Sequence, residues 1–166
     1  PYGGYSGAAA IYGASGGVME SALRTAYKDI TGNDLPKLDL IDVRTDLGGY
    51  KRAEIDINGK KVKVAVVSTP KNVKKLLEEI KEDPHAVDYV EVMACPGGCI
   101  GGGGQPQILG NKKPEVIEAR RSVLYAIDKD KKIRQADKNP LVIEYVEWAE
   151  KTGGKELKEK VLYRGY

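Results

Sequence analysis

Two runs of alternating apolar residues, separated by Asn58-Gly59, constrain the fold of this chain more than any other feature. Apolar side chains occupy every second position over residues 53–57 and again over residues 62–66. Alternation places these side chains on one face of a strand, and Asn-Gly accepts the positive φ angles of a two-residue turn. The segment therefore predicts an antiparallel β-hairpin.

Helical spacing of apolar residues is found on both sides of this hairpin. It predicts a helix that begins near Val18 and ends at Gly32, and a second helix that begins at Pro70. From Pro114 onward the pattern is helical, and a last short helix is expected over residues 156–162. Further strands are expected at three short apolar segments, residues 8–12, 38–43 and 89–93.

These elements combine into an α/β fold. We predict a small mixed sheet of about four strands with packed helices and a helical C-terminal third, forming a single domain over residues 1–166. Three aromatic residues of the C-terminal helices, Tyr125, Tyr145 and Trp148, are expected in the core, although some of them could instead face a partner lobe.

Composition excludes several classes of protein. No stretch of the 166 residues approaches the roughly 20 apolar positions of a membrane-spanning helix, and the N-terminus lacks the features of a signal peptide. The 27 basic residues are interspersed with 24 acidic ones, whereas a nucleic-acid binder concentrates its positive charge. We therefore expect a cytoplasmic globular domain that neither enters a membrane nor binds nucleic acid.

Both cysteines lie in one glycine-rich segment, EVMACPGGCIGGGGQP at residues 91–106. Cys95 and Cys99 are separated by Pro-Gly-Gly, which lets the backbone curl so that both thiols face a common object. Soft thiolates suit iron–sulfur clusters, zinc or copper(I). Because a cluster with four thiolate ligands needs two more than this chain has, half of such a site would come from elsewhere.

Other interpretations of this segment stay open on the residues alone. A structural zinc site needs four ligands, but His85 is the single histidine, and a redox dithiol is more often C-x-x-C. A radical-SAM cluster loop needs a third cysteine, and a phosphate loop would be followed by GK[ST]. A flexible loop with two incidental cysteines is the simplest alternative. Glu91 could hold the loop by hydrogen bonds or relay a proton, and the structural role is predicted.

The segment EVMACPGGCIGGGGQP closely resembles the third cysteine signature of the iron-only, or [FeFe], hydrogenases. That signature carries two of the four cysteines that bind the H-cluster of these enzymes. Three further segments also resemble the family: SGAAAIYGASGGVMESALRTAY at 6–27, AEIDINGKKVKVAVV at 53–67 and RRSVLYAIDKDKKIRQADKNPLV at 120–142. The resemblance therefore extends over nearly the whole chain.

The resemblance implies a cofactor and a reaction. The H-cluster is a [4Fe–4S] cubane joined through one cysteine thiolate to a two-iron subcluster with CO, cyanide and azadithiolate ligands. By motif position, Cys95 would ligate the cubane, and Cys99 would ligate it and bridge to the two-iron unit as the catalytic residue. The reaction would be the reversible interconversion of protons, electrons and H2.

Further residues are implied to lie around the cofactor. Met93 would pack close to the cluster, and Tyr12 and Gly13 fall in the pocket-lining segment, where Phe-Gly is more usual in the family. Gly97 and Gly98 would allow the backbone to approach the cofactor closely.

The chain also departs from the family. It has neither of the other two cysteine signatures, roughly TSCCP and MPC-x-x-K. We therefore expect the C-terminal half of a catalytic domain, metal-free and inactive alone. It would be completed by an N-terminal lobe or subunit with the other two cluster cysteines, and served by ferredoxin or an NAD(P)-linked electron carrier. The alternative is a non-catalytic iron–sulfur sensor, assembly or interaction module with the same fold.

Overall fold

The computed structural model describes residues 3–45, 47–154 and 156 of the chain. Its helices and strands are α1 (Gly7–Ile11), α2 (Gly17–Thr31), β1 (Tyr50–Ile57), β2 (Lys60–Ser68), α3 (Pro70–Glu82), β3 (Tyr89–Met93), α4 (Lys113–Asp130) and α5 (Pro140–Lys151), with 3₁₀ turns at Ile41–Val43, Cys99–Gly101 and Ala136–Lys138. The predicted α/β fold and helical C-terminal third are confirmed. The helix predicted over 156–162 lies, apart from its first residue, outside the described residues.

The sheet is mixed and has the strand order β1-β2-β3. β1 and β2 are antiparallel, with Ile57 opposite Lys60, and β3 runs parallel to β2 on its other side. The turn between β1 and β2 is Asn58-Gly59, with φ angles of 56° and 83°. Both angles are positive, as a type I′ turn requires. The predicted hairpin and the strand over 89–93 are thus confirmed.

Successive residues of β2 divide the core between the two faces of the sheet. Val66 belongs to a buried cluster with Met19 of α2, whereas its neighbour Val67 packs with Leu76 of α3. Helices therefore cover both faces, because side chains alternate along a strand. A third buried cluster joins α1 and α4 to Ile100, which follows β3.

The strand predicted over residues 8–12 is wrong, because this segment forms helix α1. A five-residue apolar run fits either a buried strand or a helix, so its pattern alone does not distinguish them. Three consecutive alanines favour the helix. Gly7 also lies so close to Asp128 of α4 that a Cβ would collide with it, and its N–H donates to the Ile133 carbonyl at 2.7 Å.

The strand predicted over residues 38–43 is also wrong. The Leu38 carbonyl accepts a hydrogen bond from Arg24 Nε at 2.9 Å, and the Leu40 N–H donates to Glu20 at 3.2 Å. Because buried side chains of α2 take these backbone groups, they do not join a sheet. The sheet of the described residues consequently has three strands rather than about four.

A buried network of charged side chains links α2 to α4. Arg24 is fully buried and donates to both carboxylate oxygens of Asp128, at 2.9 and 2.8 Å, and to Glu20 at 2.9 Å. Arg44 adds a 2.8 Å bond to Glu20, and Arg134 adds a 2.6 Å bond to Asp128. Charged groups survive such burial when each is paired and hydrogen-bonded, as these are.

The aromatic residues of the C-terminal helices have different environments. Tyr125 of α4 is buried in the cluster that includes Ile100, as predicted. Tyr145 and Trp148 of α5 are 60% and 50% exposed, so their predicted place in the core is wrong. Leu141 of α5 lies close to Gly4 of the N-terminal segment, and the two aromatic rings lie on the same face of the helix as Leu141 and are exposed there.

Candidate functional site

The cysteine loop, residues 94–106, begins directly after β3. Cys95 is half-buried and Cys99 is exposed, and both are free thiols. Because β3 is parallel to β2, the loop leaves the sheet at the carboxyl end of this strand pair. Ligand sites of α/β proteins commonly form at that edge.

The cysteine loop rests on the turn between α1 and α2. The Ser15 N–H donates to the Gly97 carbonyl at 3.0 Å, and the Ile100 N–H donates to the Gly13 carbonyl at 3.1 Å. The Ile100 side chain is buried beneath the loop. The structure thus brings together two segments that lie more than 80 residues apart and that both contain predicted site residues.

Each cysteine begins a hydrogen-bonded turn. The Cys95 carbonyl accepts from the Gly98 N–H at 3.0 Å, and the Cys99 carbonyl accepts from the Gly102 N–H at 3.0 Å. A Cβ placed on Gly102 would lie 3.3 Å from Cys95 Sγ, so the second turn passes directly beside the first thiol. The positions of both thiols therefore depend on the backbone of the glycines around them.

Gly98 is a glycine of the cysteine loop at which backbone conformation and surrounding atoms both exclude a side chain. Its φ of 91° and ψ of −160° fall in a region that residues other than glycine essentially never adopt. A Cβ at this position would lie 2.6 Å from the Ser15 nitrogen and 2.8 Å from the Gly13 carbonyl oxygen. Contact between the cysteine loop and the α1–α2 turn thus requires glycine here.

Gly98→Ala is expected to destabilise the chain by about 1–3 kcal/mol, because the backbone strain adds to a collision with the α1–α2 turn. Gly103→Ala is the matched control, since no atom lies within 4 Å of a Cβ at Gly103. Urea unfolding followed by circular dichroism measures both variants. Equal midpoints for the two alanine variants would contradict the tight contact seen at Gly98.

Glu91, in the middle of strand β3, holds the start of α2 by hydrogen bonds. Its carboxylate accepts the N–H groups of Gly16 and Met19, both at 2.7 Å, although 75 and 72 residues separate these positions. Burial raises the pKa of Glu91, and the N–H groups at the helix start partly oppose this rise. The predicted hydrogen-bonded role of Glu91 is confirmed, but its partners lie at the start of α2 rather than in the cysteine loop.

Arg120 of α4 holds the other side of the loop, and sequence analysis did not single it out. One guanidinium nitrogen donates to the Ile100 carbonyl and another to the Pro106 carbonyl, each at 2.8 Å. No sequence motif marks this contact. An arginine among many basic residues of a helix is ordinarily expected to face solvent. The partners of Arg120 are backbone atoms 20 and 14 residues away, which no residue type identifies.

Two predicted pocket residues, Tyr12 and Met93, make contacts within the chain itself. Tyr12 is 45% exposed, and its hydroxyl accepts a 3.4 Å hydrogen bond from Ser21. Met93 is half-buried at the end of β3, and its carbonyl accepts from the Thr69 N–H at 2.9 Å. Contacts of either residue with a cofactor stay predictions.

The donor set fits half of a cluster site. Among the described residues, no three of His, Cys, Asp and Glu come together as a possible metal site, and His85 is exposed in a turn after α3. Two thiols on one loop match the ligand type of an iron–sulfur cluster and supply half of a four-thiolate set. A structural zinc site would need four ligands.

Comparison with known proteins decides the family. Residues 1–103 match the family model described as the iron-only hydrogenase large subunit, C-terminal domain. The chain belongs to this iron-only hydrogenase family. Residues 114–162 match a second model, the iron hydrogenase small subunit. The cysteine loop thus falls mainly in the large-subunit match, whereas α4 and α5 fall in the small-subunit match.

Individual relatives agree with this family. The chain is 44% identical over 162 residues to the NADP-reducing hydrogenase subunit HndD of Solidesulfovibrio fructosivorans, covering 96% of this chain and 26% of the relative. It resembles the solved apo [FeFe]-hydrogenase HydA1 of Chlamydomonas reinhardtii with a TM-score of 0.59 and 32% identity, covering 80% of this chain and 39% of that one. The chain spans about a quarter of the length of the curated relatives it matches.

Two further relatives bear on function and location. Protein NAR1 of Arabidopsis thaliana is 28% identical over 120 residues, covering 71% of this chain and 24% of its own length. The periplasmic [Fe] hydrogenase large subunit of Nitratidesulfovibrio vulgaris is 44% identical over 114 residues, covering 69% of this chain and 26% of the relative. Within the described ranges, no helix is both long and apolar enough to cross a bilayer. The cytoplasmic location stays a prediction.

Proposed function

We propose that this chain supplies Cys95 and Cys99 as two of the four cysteine ligands of an H-cluster. In this role it is one part of an [FeFe]-hydrogenase that interconverts two protons and two electrons with H2. The observation that carries the proposal is the cysteine loop itself. Two free thiols lie on a loop that two other parts of the chain, the α1–α2 turn and Arg120 of α4, hold in place.

The donor chemistry supports this assignment. Thiolates are the ligands that iron–sulfur clusters prefer, and Cys99 is exposed while Cys95 is half-buried. An exposed thiol can meet a group shared with another lobe. Cys95 would hold the [4Fe–4S] cubane, and Cys99 would hold it and bridge to a two-iron subcluster with CO, cyanide and azadithiolate ligands. When bound, this group supplies the redox and proton chemistry.

The other residues of the chain position and enclose that group. Gly97 and Gly98 keep the backbone of the cysteine loop compact and seated on the α1–α2 turn. Gly13 accepts one of the two hydrogen bonds of this contact, and Tyr12 beside it presents a hydroxyl that Ser21 orients. Met93 would contribute apolar packing at the end of β3. These residues would orient the cluster and limit access of water.

The site requires partners. A lobe or subunit with two further cysteines must complete the ligand set, and a carrier must deliver electrons. The relative HndD is named as a subunit of an NADP-reducing hydrogenase, which favours a nicotinamide-linked carrier over ferredoxin for this chain. We expect the chain without its partner to be inactive and free of iron.

A second candidate is a non-catalytic iron–sulfur module. The similarity to Protein NAR1 supports it, and other relatives at 27–29% identity are named as cytosolic Fe–S cluster assembly factors. Such a protein would bind a cluster through the same cysteines without turning over H2. Identity of 44% with hydrogenase relatives favours the catalytic role.

Anaerobic purification of the native polypeptide that contains this sequence tests the proposal. Iron, acid-labile sulfide and intact mass are measured, followed by H2 evolution from reduced methyl viologen. We expect iron, a second set of cluster cysteines on the same chain or a tightly bound subunit, and H2 evolution. Iron without H2 evolution, after supply of the two-iron cofactor, would favour the assembly or sensor role. A native protein free of iron after cofactor supply would overturn both.

A further inference from the structure

Arg120 reaches the cysteine loop from a region of the chain that matches a different family model. It lies on α4, within the residues that match the hydrogenase small subunit, whereas both cysteines lie within the large-subunit match. We propose that Arg120 is a positioning residue that holds the backbone after Cys99 in the geometry that cluster binding requires. This inference rests on the proposed function.

The two hydrogen bonds of Arg120 enclose the most deformable part of the loop. They end on the carbonyls of Ile100 and Pro106, each at 2.8 Å, on either side of residues 101–105. That stretch consists of four glycines and Gln105, and the Cβ positions of Gly103 and Gly104 have open space around them. Glycines without neighbours have wide conformational freedom, so the anchored ends determine where this backbone runs.

Helix α4 holds the first of these ends, Ile100, by two kinds of contact. Ile117 lies one helical turn before Arg120 and packs in the same buried cluster as the Ile100 side chain, while Arg120 binds the Ile100 carbonyl. The second end, at the exposed Pro106, is held by the guanidinium together with the packing of Ile108 two residues further on. Loss of Arg120 would therefore loosen residues 103–106, and with them the turn that ends at Gly102, while leaving Ile100 packed.

The start of this part of the loop, at Gly102, lies directly beside the thiol of Cys95. The Gly102 N–H donates to the Cys99 carbonyl at 3.0 Å, and a Cβ on Gly102 would lie 3.3 Å from Cys95 Sγ. A guanidinium can donate two parallel bonds in a fixed planar geometry, whereas an ammonium acts as a point charge. Arginine at this position thus holds the loop backbone in a single conformation beside both cysteines.

The test compares Arg120→Gln and Arg120→Lys with Arg121→Gln in the intact holoenzyme. Arg121 is the matched control because it is the adjacent arginine on α4 and donates to Glu118 at 2.7 Å rather than to the loop. Hydrogen exchange of the peptide over residues 101–106 and the electron paramagnetic resonance spectrum of the cluster are read beside H2 evolution.

We expect faster exchange of this peptide, an altered cluster spectrum and about 10–100-fold lower turnover in Arg120→Gln, the range found for groups that support metal ligands. Arg120→Lys is expected to recover part of each change, and Arg121→Gln to match the parent enzyme. Unchanged exchange and spectrum in both Arg120 variants would overturn the positioning role. A parent enzyme without iron would instead overturn the proposed function. If Arg120→Gln fails to fold, Arg120→Lys decides through the same exchange measurement.

Discussion

Asp128→Asn is expected to lower the free energy of unfolding of this chain by about 3–5 kcal/mol, the range found when one partner of a buried ion pair is removed. Asp128 is fully buried and accepts three hydrogen bonds from Arg24 and Arg134, at 2.6–2.9 Å. Asparagine fits the same space but leaves Arg24 buried without its full counter-charge. Urea unfolding at neutral pH, followed by circular dichroism, measures the loss.

An exposed ion pair provides the control for this variant. Glu54→Gln removes the partner of Lys61 in a 3.2 Å pair whose side chains are 53% and 72% exposed. Water screens such pairs, so its unfolding midpoint should hardly move. If Asp128→Asn and Glu54→Gln had equal midpoints, the buried network would contribute nothing to stability.

The same network predicts how stability depends on pH. Burial acts to raise the pKa of Asp128, but hydrogen bonds from Arg24 and Arg134 outweigh it and hold this pKa below the usual value of 3.8. A lowered pKa means that the stabilisation is present above pH 3.8 and is lost as the pH falls through the lowered value. Between neutral and strongly acidic pH, the free energy of unfolding should therefore fall more steeply in the parent chain than in Asp128→Asn. Parallel pH profiles would contradict this assignment.

Cys99→Ser is expected to abolish H2 evolution by the complete enzyme and to remove the two-iron subcluster. The loss of activity should exceed the about 10–100-fold loss that follows substitution of residues that only support a metal ligand. Cys95→Ser should reduce iron binding as well, because a hydroxyl is a poor substitute for a thiolate at iron. Iron content, the infrared bands of CO and cyanide, and H2 evolution measure these losses.

Folding of the chain should not depend on either thiol. Cys99 is exposed and Cys95 is half-buried, and neither forms a disulfide. Both serine variants should therefore unfold within about 0.5 kcal/mol of the parent chain, as surface substitutions do. Full iron content in a holoenzyme that carries both serines would contradict the ligand role, and a large loss of stability would indicate a structural role instead.

Local patterns were sufficient for the hairpin and the long helices. Asn58-Gly59 forms the predicted turn because its φ angles of 56° and 83° are properties of those two residue types. Gly32 ends α2 in the left-handed conformation for the same reason. Patterns of this kind involve neighbours along the chain, so no tertiary information is needed to interpret them.

Short segments depended on their surroundings. Residues 8–12 became a helix and residues 38–43 did not join the sheet, because contacts with Asp128, Arg24 and Glu20 decided the outcome. Five or six apolar residues are too few for a period to distinguish helix from strand.

The hairpin, the long helices, the family resemblance and the two cysteines of the loop could all be predicted from the amino-acid sequence, because residue type and spacing carry each of them. Tertiary structure alone decided how that loop is held. Glu91 meets the start of α2, and Arg120 meets the carbonyls of Ile100 and Pro106. These contacts join side chains to backbone atoms far away in the chain. A backbone carbonyl or N–H is present at almost every residue, so no residue type marks the partner.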